Sequence, residues 1–179
     1  SSVFERDLAR HIALGAEKMV LRLLEQIEDP ADLPWDTCRS PVLPLKVDSV
    51  SVLVSLDDMR CRFNLNALAG ADETLQAGFA RLVDRVAQDS GADMPSGARL
   101  ALSLTDWMDP EADDPLYRLQ SPPRYAGQRE MLFAAELTAL PGMNEAAWLA
   151  LAPFVTAYPG QANPLDLTRA DPVLQEVFA

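Results

Sequence analysis

The hydrophobic pattern changes from strand-like to helical spacing near Leu68, and that change limits the fold more than any other feature. Before it lies an alternating run, Val50-Ser51-Val52-Leu53-Val54-Ser55-Leu56, in which side chains two apart share a face, as a strand requires. After it, apolar residues recur at three- and four-residue spacing, the period of a helix. Strand signals come early and helix signals late, so the expected class is α+β.

A helix precedes the strands. Residues 4 to 28 place Leu8, Ile12, Ala16, Met19, Val20, Leu23 and Ile27 on one stripe, and Glu28-Asp29-Pro30 ends the run because the residue before proline is pushed out of helical space. A stripe of this kind is expected to pack on a sheet. Residues 30 to 45 contain Pro30, Pro34, Pro41 and Pro44 and read as a loop or short edge pieces. Residues 45 to 56 and 60 to 65 are expected to form a hairpin across the turn Asp57-Asp58-Met59. Helices follow at 72 to 89, 99 to 108, 130 to 139, 144 to 157 and from 171 on, the first capped by Asp72 and Gly91. A loop rich in proline and acid separates the second from the third. The expected domains are 1–68 (helix and hairpin), 69–160 (helical) and 161–179, a C-terminal segment returning toward the sheet.

The residues argue against several functions. A net charge of −12 and a pI near 4.4 oppose nucleic-acid binding, which depends on Lys and Arg displacing phosphate counterions. The turn Leu140-Pro141-Gly142 between two helices has the form of a helix-hairpin-helix, a module that often grips DNA; this leaves a nucleic-acid-binding or processing domain as the rival reading, with the charge against it. His11 is the only histidine and lies beside Arg10 on the first helix, so no Ser-His-Asp set can be built. Glycines never cluster as a phosphate loop. A hydrolase using carboxylates would lack a convergent base or nucleophile. No run of about 18 apolar residues marks a membrane span.

Three features remain. Asp109-Pro110-Glu111-Ala112-Asp113-Asp114 puts four carboxylates in six positions; it is either a solvated acidic turn or oxygen ligands for a hard cation, and it lacks the EF-hand pattern. Cys38 and Cys61 are too few for a metal knuckle and read either as free thiols or as a disulfide. Asn64 and Asn66 flank Leu65 at the end of a strand, where asparagine side chains bond local backbone.

Taken in order, the motifs resemble the K-type minor pseudopilin family of the bacterial type II secretion system. They are Arg60-Cys61-Arg62-Phe63-Asn64-Leu65-Asn66 after an acidic turn, Asp106-Trp107-Met108-Asp109, Tyr117, Pro123-Arg124-Tyr125, Glu136-Leu137 through Gly142-Met143, and Pro153-Phe154-Val155-Thr156-Ala157-Tyr158-Pro159. Cys61 stands where the family usually has glycine. The resemblance implies a long N-terminal helix on a small antiparallel sheet, with a large inserted all-α domain of SAM or helix-hairpin-helix type. It implies a non-enzymatic protein at the tip of the secretion pseudopilus, nucleating or capping the fibre with the I-type and J-type minor pseudopilins, with secreted proteins as further partners. Leu8, Ile12, Ala16, Met19 and Leu23 would then meet the partner helices. The protein would be periplasmic, anchored in the inner membrane through an N-terminal segment ahead of this chain. Asn64 and Asn66 would be structural, fixing one domain on the other. That compartment permits a Cys38–Cys61 disulfide. The family also implies calcium near the Asp-Trp-x-Asp segment, with Asp109, Asp113, Asp114, Glu111 and Asp106 as donors.

Overall fold

A computed structural model describes residues 2–26, 38–40, 42–47, 50–70, 72–112, 115–119 and 121–179. The chain divides into two compact units, Ser1–Asp58 and Met59–Ala179.

In the first unit, helix α1 (Ser2–Leu24) lies on a two-stranded antiparallel ribbon of β1 (Leu43–Val47) and β2 (Val50–Val54). Ala16 and Val20 are the α1 side chains buried against it. Helix and ribbon approach closely at Gly15, where a Cβ would lie 3.1 Å from Val47 Cγ1. The ribbon is extended beyond β2. Ser40 and Leu56 exchange hydrogen bonds, Asp58 N donates to Cys38 O, and Arg39 grips Asp57 at 2.7 and 3.3 Å. The expected hairpin is corrected here. The strand at 50–54 pairs backward with 43–47, and Asp57 is a partner of Arg39 instead of a turn residue. Pro44 is compatible with β1 because neither strand of a two-stranded ribbon is central.

Residues 60 to 65 belong to the second unit. Met59–Cys61 is a 3-10 turn, and Phe63–Asn64 (β3) pairs in parallel with Val155–Thr156 (β4). The boundary therefore falls at Asp58/Met59, ten residues before the expected one. The cause is burial: Phe63, Leu65 and Leu68 are fully enclosed by the helices, and Phe63 stacks between Phe79 and Phe178 at centroid distances of 5.5 and 5.1 Å. Fully burying such a side chain contributes about 1.5–3 kcal/mol, which ties this stretch to the helices.

The helices of this unit are α2 (Glu73–Ser90), α3 (Gly97–Met108), α4 (Pro115–Arg118), α5 (Glu145–Leu151) and α6 (Pro172–Phe178). Asp72 caps α2 by accepting from Thr74 N and Leu75 N, and Gly91 ends it at φ 66°. Gly97 lets α3 touch α2: a Cβ there would fall 1.9 Å from Ala80 O. Two expected helices are shorter than the pattern suggested. Residues 130 to 133 are not helical and lead into a 3-10 turn at Ala134–Ala139, and α5 stops at Leu151, before Pro153. Phe178 wedges against Gly78, and Arg85 bonds Glu176 while Arg81 bonds Val177 O, so α6 is held by both packing and charge. Asp89 and Glu176 together raise the pKa of Arg85 through hydrogen bonds and charge.

Candidate functional site

Asn64 and Asn66 are 1% and 0% exposed. Asn66 Nδ2 donates to Met131 O (3.0 Å) and Tyr158 O (2.9 Å), and its Oδ1 accepts from Met131 N (2.8 Å). Asn64 Nδ2 donates to Gly160 O and Ala162 O, and its Oδ1 accepts from Tyr158 N. Asn64 N donates in turn to Asn163 Oδ1, and Gly160 N to Glu130 Oε2. The pair therefore fastens segments 131 and 158–163 to β3 inside the second unit. The structural role anticipated for these asparagines has its partners within that unit. Nothing about them is poised for chemistry, because each side-chain polar atom is already committed.

The Leu140-Pro141-Gly142 turn is likewise occupied by packing. Gly142 sits at φ 83°, with Pro95 Cγ 2.8 Å from where its Cβ would be. Asn144 caps α5 through Ala147 N and donates to Asp93 O.

Of the five expected calcium donors, Asp113 and Asp114 lie outside the described residues. Asp109 Oδ1 accepts from Glu111 N at 2.8 Å, forming a local turn, and both residues are exposed. Asp106 is half-buried and already engaged in an interaction. Among the described residues no group of three or more His, Cys, Asp or Glu could hold a metal. Three such carboxylates fall short of the six to eight oxygens that calcium takes, so the described donors alone do not make a site. Trp107, inside the same motif, is buried edge-on to Tyr117, and its indole N–H has no partner among the described residues. A cleft of about 380 Å³ lies beside the loop, bordered by Thr105, Asp109, Arg129, Glu130 and Gln161. Both cysteines, Cys38 and Cys61, are disulfide-bonded, and no free cysteine remains among the described residues.

The surface that stands out is on α1. Leu8, Met19 and Leu23 are 49%, 42% and 53% exposed, and Ile12 is half-buried between them. Phe4, one turn before Leu8 and 73% exposed, extends the line. Ala16, expected on this face, is turned into the ribbon at 3% exposure. The stripe seen in the sequence is therefore two adjacent faces: one covered by the ribbon through Ala16 and Val20, the other bare. Ile27 lies outside the described residues. No described helix is long and apolar enough to cross a membrane.

Residues 61–160 match the family model described as type II secretion system (T2SS), protein K. Type II secretion system protein K of Pseudomonas aeruginosa is 30% identical, over 95% of this chain and 56% of that protein. The protein of the same name from Klebsiella pneumoniae is 27% identical, over 92% of this chain and 54% of its own length. The chain thus spans about half the length of these relatives. In the crystal structure of the GspK-GspI-GspJ complex from the enterotoxigenic Escherichia coli type 2 secretion system, one chain superposes with a TM-score of 0.74 at 24% identity, covering 98% of this chain and 68% of that one.

Proposed function

Because this chain belongs to the type II secretion system protein K family, we propose that it is a minor pseudopilin that assembles, without catalysing a reaction, with I-type and J-type minor pseudopilins at the tip of the secretion pseudopilus. The observation that carries this reading is the bare apolar line Phe4, Leu8, Ile12, Met19 and Leu23 on α1. Large apolar side chains at helical spacing gain most by lying against a second helix. The second unit stands in this reading for the family's inserted all-α domain, of SAM or helix-hairpin-helix type, and its bulk caps the fibre. Secreted proteins are its further partners. The site of action is the periplasm, with an inner-membrane anchor preceding α1.

Mixing this chain with the two partner domains tests the reading. Gel filtration with light scattering should give a three-chain complex, and Leu8→Ala with Met19→Ala should weaken it. Three separate monomers at micromolar concentration would overturn it.

Calcium at the 109–114 loop belongs to the same reading. Asp109, Glu111, Asp113 and Asp114 supply hard oxygen donors on one short segment, and an ion there would relieve their mutual repulsion. Melting in calcium and in chelator is the test: a higher midpoint with calcium is expected, and identical midpoints would leave the loop a solvated acidic turn.

A further inference from the structure

The charge on α1 differs from that of the rest of the chain. The helix carries four Lys or Arg (Arg6, Arg10, Lys18, Arg22) against three Asp or Glu (Glu5, Asp7, Glu17), a formal +1 within a chain of −12. Two of the four cations border the bare stripe. Lys18 and Arg22 each stand one residue before Met19 and Leu23, so they lie about 100° around the helix from them, on the side away from the ribbon. Both are exposed, and neither forms an ion pair with a described residue. His11 continues the same edge toward the N-terminus, while Asp7 and Glu25 stand at its two ends. The lower half of the stripe therefore has an apolar floor, Met19 and Leu23, and a cationic rim, Lys18 and Arg22.

We propose that the partner seated on this stripe is a helix whose own apolar line is bordered by Asp or Glu side chains opposite Lys18 and Arg22. The inference rests on the docking reading above and adds the chemistry of the partner. Charges beside a helical seam select which helix pairs there and in which register, because a like charge opposite a like charge is repelled while an opposite pair is favoured. Rim charges act mainly on the rate of association and its salt dependence; floor side chains act on dissociation.

The test uses the full chain with its I-type and J-type minor pseudopilins as separate probes, and surface plasmon resonance over a salt series. Lys18→Glu with Arg22→Glu should weaken binding of the cognate probe roughly tenfold at low salt, chiefly by slowing association. The difference from the native chain should nearly vanish at about 0.5 M salt, where the screening length is only a few ångströms. Lys18→Gln with Arg22→Gln should fall between the two. Leu8→Ala with Met19→Ala should weaken binding at every salt concentration. If the apolar pair matters and the charge reversal does not, the acidic-edge inference is wrong and the docking face stands. If neither variant changes binding, the docking face is wrong as well.

Discussion

Asn66→Ala should be among the most damaging substitutions in the second unit. The side chain makes three hydrogen bonds from a position with no exposure. Removing it strands Met131 N, Met131 O and Tyr158 O. A buried group left without its partner costs about 1–3 kcal/mol. Two of the three are carbonyls, and Tyr158 lies near enough to solvent to find water, so the sum should settle at about 3–5 kcal/mol. With a urea slope of about 2 kcal/mol per molar, the midpoint should fall by roughly 2 M. Fluorescence of Trp107, buried in the same unit, and near-ultraviolet circular dichroism would both follow it. Asn66→Asp gives a second signature. Its carboxylate would still accept from Met131 N, but its other oxygen would face the two carbonyls. Burial and those acceptors favour the protonated form, so the folded-state pKa is raised. The penalty should be full at neutral pH and should ease as pH falls and one carboxyl O–H becomes a donor. A loss from Asn66→Ala of no more than about 1 kcal/mol, the scale of one helix cap, would refute the argument.

Gly97→Ala should prevent α3 from seating on α2, since the new Cβ would lie 1.9 Å from Ala80 O; loss of the cooperative thermal transition is the expected readout, and a native-like melt would contradict the close approach. Cys38 and Cys61 enclose 22 intervening residues, so Cys38→Ser with Cys61→Ser should cost about 3 kcal/mol on the loop-entropy account, and thiol titration of the unreduced, denatured chain should find none. Asp166 has its pKa lowered by hydrogen bonds from Thr168 and then Arg169. Its contribution should be complete above the unfolded value of 3.8 and disappear as pH falls through the lower folded value, so the stability gap to Asp166→Asn should be constant near neutrality and close in acid.

The sequence revealed elements whose signals are local. Asp72, Gly91 and the apolar positions between them mark α2 without reference to the rest of the chain, and the structure has it there. Strand β1 was hidden because Leu43-Pro44-Leu45-Lys46-Val47 holds a proline and follows a proline-rich stretch, while its partner lies on the far side of a short connection. The Asp57-Asp58 pair has turn composition, yet Arg39, 18 residues earlier, draws Asp57 into a ladder. Asn64 and Asn66 were legible as structural, but their partners stand 65 to 99 residues away, and no local pattern names them. On α1 the periodicity identified the apolar residues and could not separate the side turned to the ribbon from the side left bare. Ala16 and Met19 are one turn apart in sequence and on different faces in the structure.

The two units differ in how far they satisfy their own apolar side chains, and this bears on function. In the second unit Phe63, Phe79, Leu82, Leu100, Leu104 and Leu137 are completely enclosed. In the first, the buried apolar residues among those described are Ala16 and Val20, while Phe4, Leu8, Met19, Leu21 and Leu23 on the same helix stay exposed. A helix that buries so little should open at low free-energy cost, because packing of an apolar face supplies most helix stability. A partner that binds only the formed helix would add its binding energy to that cost. At a partner concentration 100 times Kd the gain is about 2.7 kcal/mol, which corresponds to roughly hundredfold slower amide exchange. Hydrogen exchange of α1 should therefore be fast in the free chain and slow by up to that factor in the complex, while α2 and α3 change little. Equal exchange in α1 with and without a partner whose binding is independently established would mean that the bare stripe is not the contact.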